Sequence, residues 1–312
     1  MPTFEIVAAA ENNNFFLWQS LLFHYSCLHY QQQSPIIVVH AHDDEELLPG
    51  FEHIIRTGGN VQRAPNWRVI NEINYPPRNT ISTLKHVKTS AEFIVLCDAD
   101  MLFRRQFDFS SLPIGEDRMT FDQVFYMNPQ LSDYQPFLDN ACRAADVPID
   151  WFKQFDLLGG VPHVIPRCRQ EQVANEWLHC ISYFPTQPPC RVEDAGALSR
   201  GVHQGTQQWW LSIMWAAFLM TYRLKLQPQI TDFCLLNHNG EEAMPNSDTD
   251  GPAMIHYCYP GLGFDKHQYD GAIETCNLVW QQAEGDLTVN GLVRRQLREA
   301  RSFYQFEFVK SS

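Results

Sequence analysis

A chain of 312 residues, 45% hydrophobic and 13% aromatic, has enough apolar surface to bury a full core, which excludes a disordered polymer. Its 23 basic residues face 36 acidic ones, a formal net charge of −13. Lys and Arg grip phosphate backbones, and no basic run offsets the deficit here, so a nucleic-acid partner is not expected.

The elements follow in chain order. "FEIVAAA" (4–10) reads as a buried strand broken by "ENNN". "FFLWQSLLFHYSCLHY" (15–30) sets apolar residues on a broad helical face. "SPIIVVHAHDDEE" contains a second buried strand, Ile36 to Val39, and a short strand is expected around Val61. "NTISTLKHVKTS" (79–90) reads as a helix, and "AEFIVLCDADMLF" (91–103) as a third buried strand. β-branched runs alternating with helices indicate an α/β fold, a mostly parallel sheet flanked by helices.

The second half is less regular. "DLLGGVPHVIP" (156–166) is expected to be extended, and "CRQEQVANEWLHCISYF" (168–184) helical. The nearly all-apolar segment 207–223 reads as a helix packed on every side. "NHNGEEAMPNSDTDGP" is a polar loop, "AMIHYCY" a strand and "LVRRQLREARSFYQF" an amphipathic helix. With no internal repeat or low-complexity linker, one domain is expected over 1–312. Residues 1–105 would form a nucleotide-binding half, 106–275 an acceptor half that completes a metal site, and 276–312 a helical segment.

Nine cysteines, an odd number with no C-x-x-C pair, read as buried free thiols of a reducing compartment. "MPTFEIVAAAENNN" has no basic region of a signal peptide. The longest apolar stretch, "WWLSIMWAAFLM", is shorter than the roughly 20 residues of a bilayer span. The expectation is a cytoplasmic protein with no membrane span.

Two D-x-D patterns occur. Asp248-Thr249-Asp250 lies among Asn, Ser, Gly and Pro, where aspartates favour turns. Asp98-Ala99-Asp100 instead ends a buried strand, and in open α/β sheets ligands gather beyond the carboxyl ends of strands. Two carboxylates that close repel, and a divalent cation relieves them; hard oxygen ligands select Mn2+ or Mg2+ over zinc. In "MIHYCYPGLGFDKHQYDG" a short strand delivers His256 as a candidate third ligand, and Lys266 follows as a point charge for phosphate oxygens.

The order of these stretches resembles that of GT-A type glycosyltransferases, in particular the group of hydroxyproline O-arabinosyltransferases and peptidyl-serine galactosyltransferases. The stretches are "VAAAENNNFFLWQSLLFHY", "INYPPRNTISTLKHVKTSAEFIVLCDADMLF", "LLGGVPHVIPR", "WWLSIMWAAF" and "MIHYCYPGLGFDK". The resemblance implies a GT-A, Rossmann-like fold and a UDP-sugar donor. Ala8, Ala9 and Ala10 would border the nucleotide together with Ala99. Asp98, Asp100 and His256 would hold the metal on the donor diphosphate, with Lys266 and Arg78 against its charge. The His-Tyr-Cys run is also similar to that of bacterial galactosyltransferases of this fold, in which a downstream lysine touches the diphosphate. The plant enzymes carry Asn-Arg-Pro where this chain has Asn74-Tyr75-Pro76, with an arginine only at Arg78. They carry a glutamate where this chain has Ile213. Glu193 and Asp194 are then the candidate general base.

The expected function is cation-dependent sugar transfer from a nucleotide sugar to a hydroxyl acceptor, whether peptide, glycan or small molecule. One rival is a module that binds nucleotide sugar without transfer. The other is a metallohydrolase using His40, His42, Asp43 and Asp44, with His163, His179 or His203 as further ligands.

Overall fold

The computed structural model describes residues 1–31, 33–124, 127–130, 135–184, 208–232, 234–236, 252–258, 263–282 and 288–305. The strands are β1 (Phe4–Glu11), β2 (Ile36–Ala41), β3 (Asn60–Pro65), β4 (Val69–Ile70), β5 (Ile73–Asn74), β6 (Phe93–Asp98), β7 (Met101–Phe103), β8 (Arg118–Gln123), β9 (Gly159–Pro166), β10 (Gln227–Thr231), β11 (Cys234–Leu236) and β12 (Met254–His256). The helices are α1 (Asn14–Ser26), α2 (Glu52–Arg56), α3 (Arg78–His86), α4 (Gln135–Ala145), α5 (Ile149–Lys153), α6 (Gln170–Ile181), α7 (Gln208–Arg223), α8 (Ile273–Asn277) and α9 (Val289–Tyr304). None of the helices among the described residues is long and apolar enough to cross a membrane.

Seven strands form one sheet in the order β10-β8-β9-β6-β1-β2-β3. The sheet is mostly parallel, as the sequence predicts. β9 is the reversed member, antiparallel to both β6 and β8, while β10 runs parallel to β8. β11, β12 and β7 make a three-stranded sheet and β4–β5 a small hairpin. The expected elements at 4–10, 36–39, 79–90 and 168–184 appear as β1, β2, α3 and α6 with shifted ends. β8 and β10 have no signature in the sequence: "RMTFDQ" and "QPQIT" lack the apolar run that marked the other strands. The glycine pair that opens β9 is crowded by its neighbours. A Cβ on Gly159 would stand 2.4 Å from Phe121 Cβ, and one on Gly160 would stand 2.7 Å from Met214 Sδ.

The chain divides into two compact units, residues 1–9, 64–97 and 108–232 in the first, residues 10–63, 98–107 and 233–312 in the second. In the first unit α3, α6 and α7 pack through polar staples. Gln170 Nε2 donates to the carbonyls of Leu84 and Val87, at 2.7 and 2.8 Å. Trp177 Nε1 donates to the Ile213 carbonyl at 2.8 Å. Tyr75, fully buried, donates its hydroxyl hydrogen to the Trp210 carbonyl at 2.9 Å and accepts from the Ile213 N–H at 2.8 Å.

In the second unit Asn13 caps α1, its Oδ1 accepting from Phe16 N at 2.9 Å, and a π-helical turn, Cys27–Gln31, extends the helix. β7 is held from both backbone sides of Phe103. Ser26 Oγ accepts from Phe103 N at 3.2 Å, and Gln296 Nε2 donates to its carbonyl at 2.8 Å. His24 and Tyr304, one from α1 and one from α9, meet at 2.6 Å. His24, Ser26 and Tyr304 are buried with their hydroxyl or ring nitrogen partnered, which is the condition for burying such groups cheaply.

The two bonds of the Tyr75 hydroxyl bridge the 75–78 turn to the first turns of α7. Tyr75→Phe leaves the buried Ile213 N–H without its acceptor and is expected to lower stability by about 1–3 kcal/mol. A urea titration measures it; an unchanged midpoint would show the hydroxyl to be idle.

Candidate functional site

β6 is fourth of the seven strands, the centre of the sheet. Its residues Phe93 to Cys97 are buried, and the chain then passes through Asp98-Ala99-Asp100 and starts β7 at once. That turn leaves no room to separate the two carboxylates. β7 pairs antiparallel with β12, Met101 opposite His256, so the histidine arrives beside Asp100 across 156 residues of chain. Tyr257 fixes the turn itself: its N–H donates to the Asp100 carbonyl at 3.0 Å, and its hydroxyl to the Ala99 carbonyl at 3.5 Å.

One ligand atom from each of Asp98, Asp100 and His256 lies within 4.8 Å of the other two, and this is the one such group of His, Cys, Asp and Glu among the described residues. His256 Nε2 stands 3.1 Å from Asp100 Oδ1 and 3.9 Å from Asp98 Oδ2. Lys266 Nζ donates to Asp100 Oδ2. All four side chains belong to the second unit. Two carboxylate oxygens and an imidazole nitrogen are a donor set that suits Mn2+ and, less well, Mg2+; the group contains no thiolate. The residues present therefore fit a hard divalent cation.

The electrostatics are those of two like charges on one turn. Burial, and then Asp100, push Asp98 up to about 6, partly offset by His256 and Lys266. Asp98 still keeps 35% of its side-chain surface accessible, against 10% for Asp100, so it is the open side of the pair. Burial alone would raise Asp100 too, but Lys266 and His256 outweigh it and hold that carboxyl well below the usual range. For His256, burial acts to lower the pKa; Cys258 and Asp100 overcome it and leave it well above the ordinary histidine value. A cation ligated by His256 must therefore displace a proton from it.

The other predicted residues have surroundings of their own. Ala8 and Ala10 are buried on β1, and Ala9 is half-buried; Ala8 and Ala9 lie in the first unit, Ala10 in the second. Arg78 is buried in the first unit, where Nη1 donates to the Ile73 carbonyl at 2.8 Å and the guanidinium covers the Tyr75 ring at 5.6 Å. Lys266, expected to reach for phosphate, is found on Asp100. Ile213, where the resemblance leads one to expect a glutamate, is buried among the α6–α7 staples. Glu193, Asp194, His203, Asp248 and Asp250 lie outside the described residues. The rival ligands do not gather: His40, His42, Asp43 and Asp44 form no such group with any described residue. His163 is buried between the rings of Phe121 and Trp177, and His179 pairs with Tyr183. Neither Tyr257 nor Phe15, whose ring centre lies 5.9 Å from Lys266 Nζ, is singled out by a sequence motif. Only the alternation in "MIHYC" distinguishes Tyr257 from its neighbours.

No protein-family model matches the chain, and no curated protein matches it. Solved structures do. An active-site glutamine-to-glutamate mutant of LgtC is similar with a TM-score of 0.50 at 11% identity, over 89% of this chain and 96% of that one. A complex of galactosyltransferase LgtC with donor and acceptor sugar analogues matches at a TM-score of 0.46 and 12% identity, over 82% of this chain and 87% of that one. The apo structure of the bifunctional glycosyltransferase WbbM matches at 0.45 and 10%, over 83% of this chain and 46% of that one. The fold is accordingly of the GT-A, Rossmann-like type.

A carboxyl whose folded-state pKa is raised, from 3.8 to about 6 for Asp98, gives the protein stability that is present below the lower value and lost as pH rises through the upper one. Asp98→Asn keeps the position neutral throughout. In chelator, the variant is expected to melt above wild type by roughly 1–3 °C at neutral pH, with the gap closing as the pH falls through the window between those two values. Differential scanning calorimetry across the window reads this, and a gap independent of pH would remove the strained charge from Asp98.

Proposed function

We propose that the chain is a glycosyltransferase that moves a sugar from a nucleotide sugar, UDP-linked, to a hydroxyl of a peptide, glycan or small molecule. One observation carries the reading: two carboxylates and an imidazole converge within 4.8 Å at the carboxyl end of the central strand, with a lysine on the same cluster. Ligands of open α/β sheets bind at that end. The likeness in fold to LgtC, a galactosyltransferase, supports it.

In this reading Asp98, Asp100 and His256 hold Mn2+ or Mg2+, which supplies Lewis-acid neutralisation of the diphosphate leaving group. Lys266 adds its charge where the bond between sugar carbon and diphosphate oxygen breaks and the electron pair moves to that oxygen. Tyr257 keeps the Asp98–Asp100 turn in place through its two bonds to the turn's carbonyls. The acceptor hydroxyl forms the new bond to the sugar carbon, and its proton passes to a base, for which Glu193 and Asp194 are the candidates in an inverting reaction.

The test is a panel of nucleotide sugars incubated with Mn2+, with UDP release as the readout. Asp98→Ala and Asp100→Ala are each expected to lower release by about 10²-fold or more while leaving the circular dichroism spectrum intact. His256→Ala should weaken Mn2+ dependence without erasing it, since two carboxylates remain. Transfer that survives the Asp98/Asp100 double variant refutes the site. Binding of a UDP-sugar with no UDP released, with or without acceptors, would instead make the chain a binding module, as the isoleucine at position 213 allows.

A further inference from the structure

Both oxygens of Asp100 are engaged. Oδ1 lies 3.1 Å from His256 Nε2, and Oδ2 accepts from Lys266 Nζ. The ammonium is nearly as enclosed as the carboxylate, with 12% and 10% of their side-chain surfaces accessible. An enclosed pair is far harder to break than a surface pair, because either partner left alone is a buried charge. The Phe15 ring, its centre 5.9 Å from Nζ, adds a second attraction for the cation. Lysine thus already supplies positive charge that the paired carboxylates call for. A divalent ion arriving by itself competes with it for Asp100 and gains less than it would from two bare carboxylates.

A diphosphate reverses that balance. It offers the ammonium a second and more strongly charged partner, and lysine can take it by rotating a flexible four-carbon stem, with no change in backbone. The stem starts from a short 3-10 turn, Lys266–Tyr269, which Asp265 caps by accepting from His267 N at 3.0 Å. We propose that Lys266 makes cation binding conditional on the nucleotide: it occupies Asp100 until a diphosphate draws it away, so that divalent ion and nucleoside diphosphate bind as a coupled pair. This rests on the nucleotide-sugar reading above and adds to it an order that a lysine serving phosphate alone would not impose.

Coupling of this kind is reciprocal, so UDP tightens Mn2+ by the factor by which Mn2+ tightens UDP. Mn2+ affinity of the full chain, measured by electron paramagnetic resonance of free Mn2+ with and without UDP, tests it. Lys266→Met is expected to bind Mn2+ alone about tenfold more tightly than wild type, and to lose at least that factor of the enhancement by UDP. Lys266→Arg should stay near wild type for Mn2+ alone. Lys266→Gln, which keeps a donor for Asp100 but no charge, gives the same test should methionine disturb the fold. If neither neutral variant binds Mn2+ alone more tightly, the lysine is no competitor and the inference falls while the metal reading stands. If Asp100→Ala leaves Mn2+ affinity unchanged, the metal reading falls, and the inference with it.

Discussion

Two carboxylates separated by one residue, at the end of a strand buried along its length, impose the condition that the second unit meets. Asp98 and Asp100 cannot move apart, because β7 begins one residue after Asp100. Nor can both be hydrated, since Asp100 keeps only 10% of its side-chain surface accessible. The compensating positive charge has to come from elsewhere in the chain. It comes from His256 and Lys266, 156 and 166 residues away from Asp100. The antiparallel register of β7 and β12, with Met101 opposite His256, is therefore what makes the turn tolerable. Ser26 and Gln296, which hold the backbone of Phe103, act on the site through that same strand.

The compensation is uneven, and the unevenness is informative. Asp100 receives both cationic partners and is held ionised, while Asp98 is left at about 6 with a third of its surface open. A purely structural ion-pair network would satisfy both carboxylates. Leaving one under-compensated and accessible is the pattern expected where a ligand completes the charge balance. The donor set bears on which ligand. Imidazole suits Mn2+ better than Mg2+, whose near-ideal octahedron prefers oxygen and water.

How much of this the sequence disclosed follows from the range of the interactions. β1, β2 and β6 were legible because a strand buried on both faces must be a continuous apolar run, whatever it packs against. The D-x-D was legible because its position at the end of such a run is a local property. His256 could be named only as a ligand that the motif needed; its pairing with β7 is a contact between distant segments that no spacing encodes. Lys266 shows the limit more sharply. Its charge was visible and so was its nearness to His256, but the partner it takes, Asp100, depends on how the 263–269 segment returns to the strand end. β8 and β10 were missed because "RMTFDQ" and "QPQIT" owe their strand state to their neighbours in the sheet rather than to their own composition.

Position 213 separates fold from chemistry. Where the resembling plant enzymes have a glutamate, this chain has an isoleucine whose N–H meets Tyr75 and whose carbonyl meets Trp177. A carboxylate side chain there would share a site that is 9% exposed with α6 and α7, at the cost of desolvating a charge. Isoleucine removes that cost, while the backbone N–H and carbonyl at 213, which any residue would supply, tie α7 to the Tyr75 turn and to α6. The same substitution means that any base needed by the acceptor has to come from another part of the chain. The carboxyl end of β6 is different, because an apolar residue there would also relieve strain yet two aspartates occupy it. The two aspartates stand there in an arrangement that costs stability by itself, and the proposed cation shared with a diphosphate would give that arrangement a physical reason to exist.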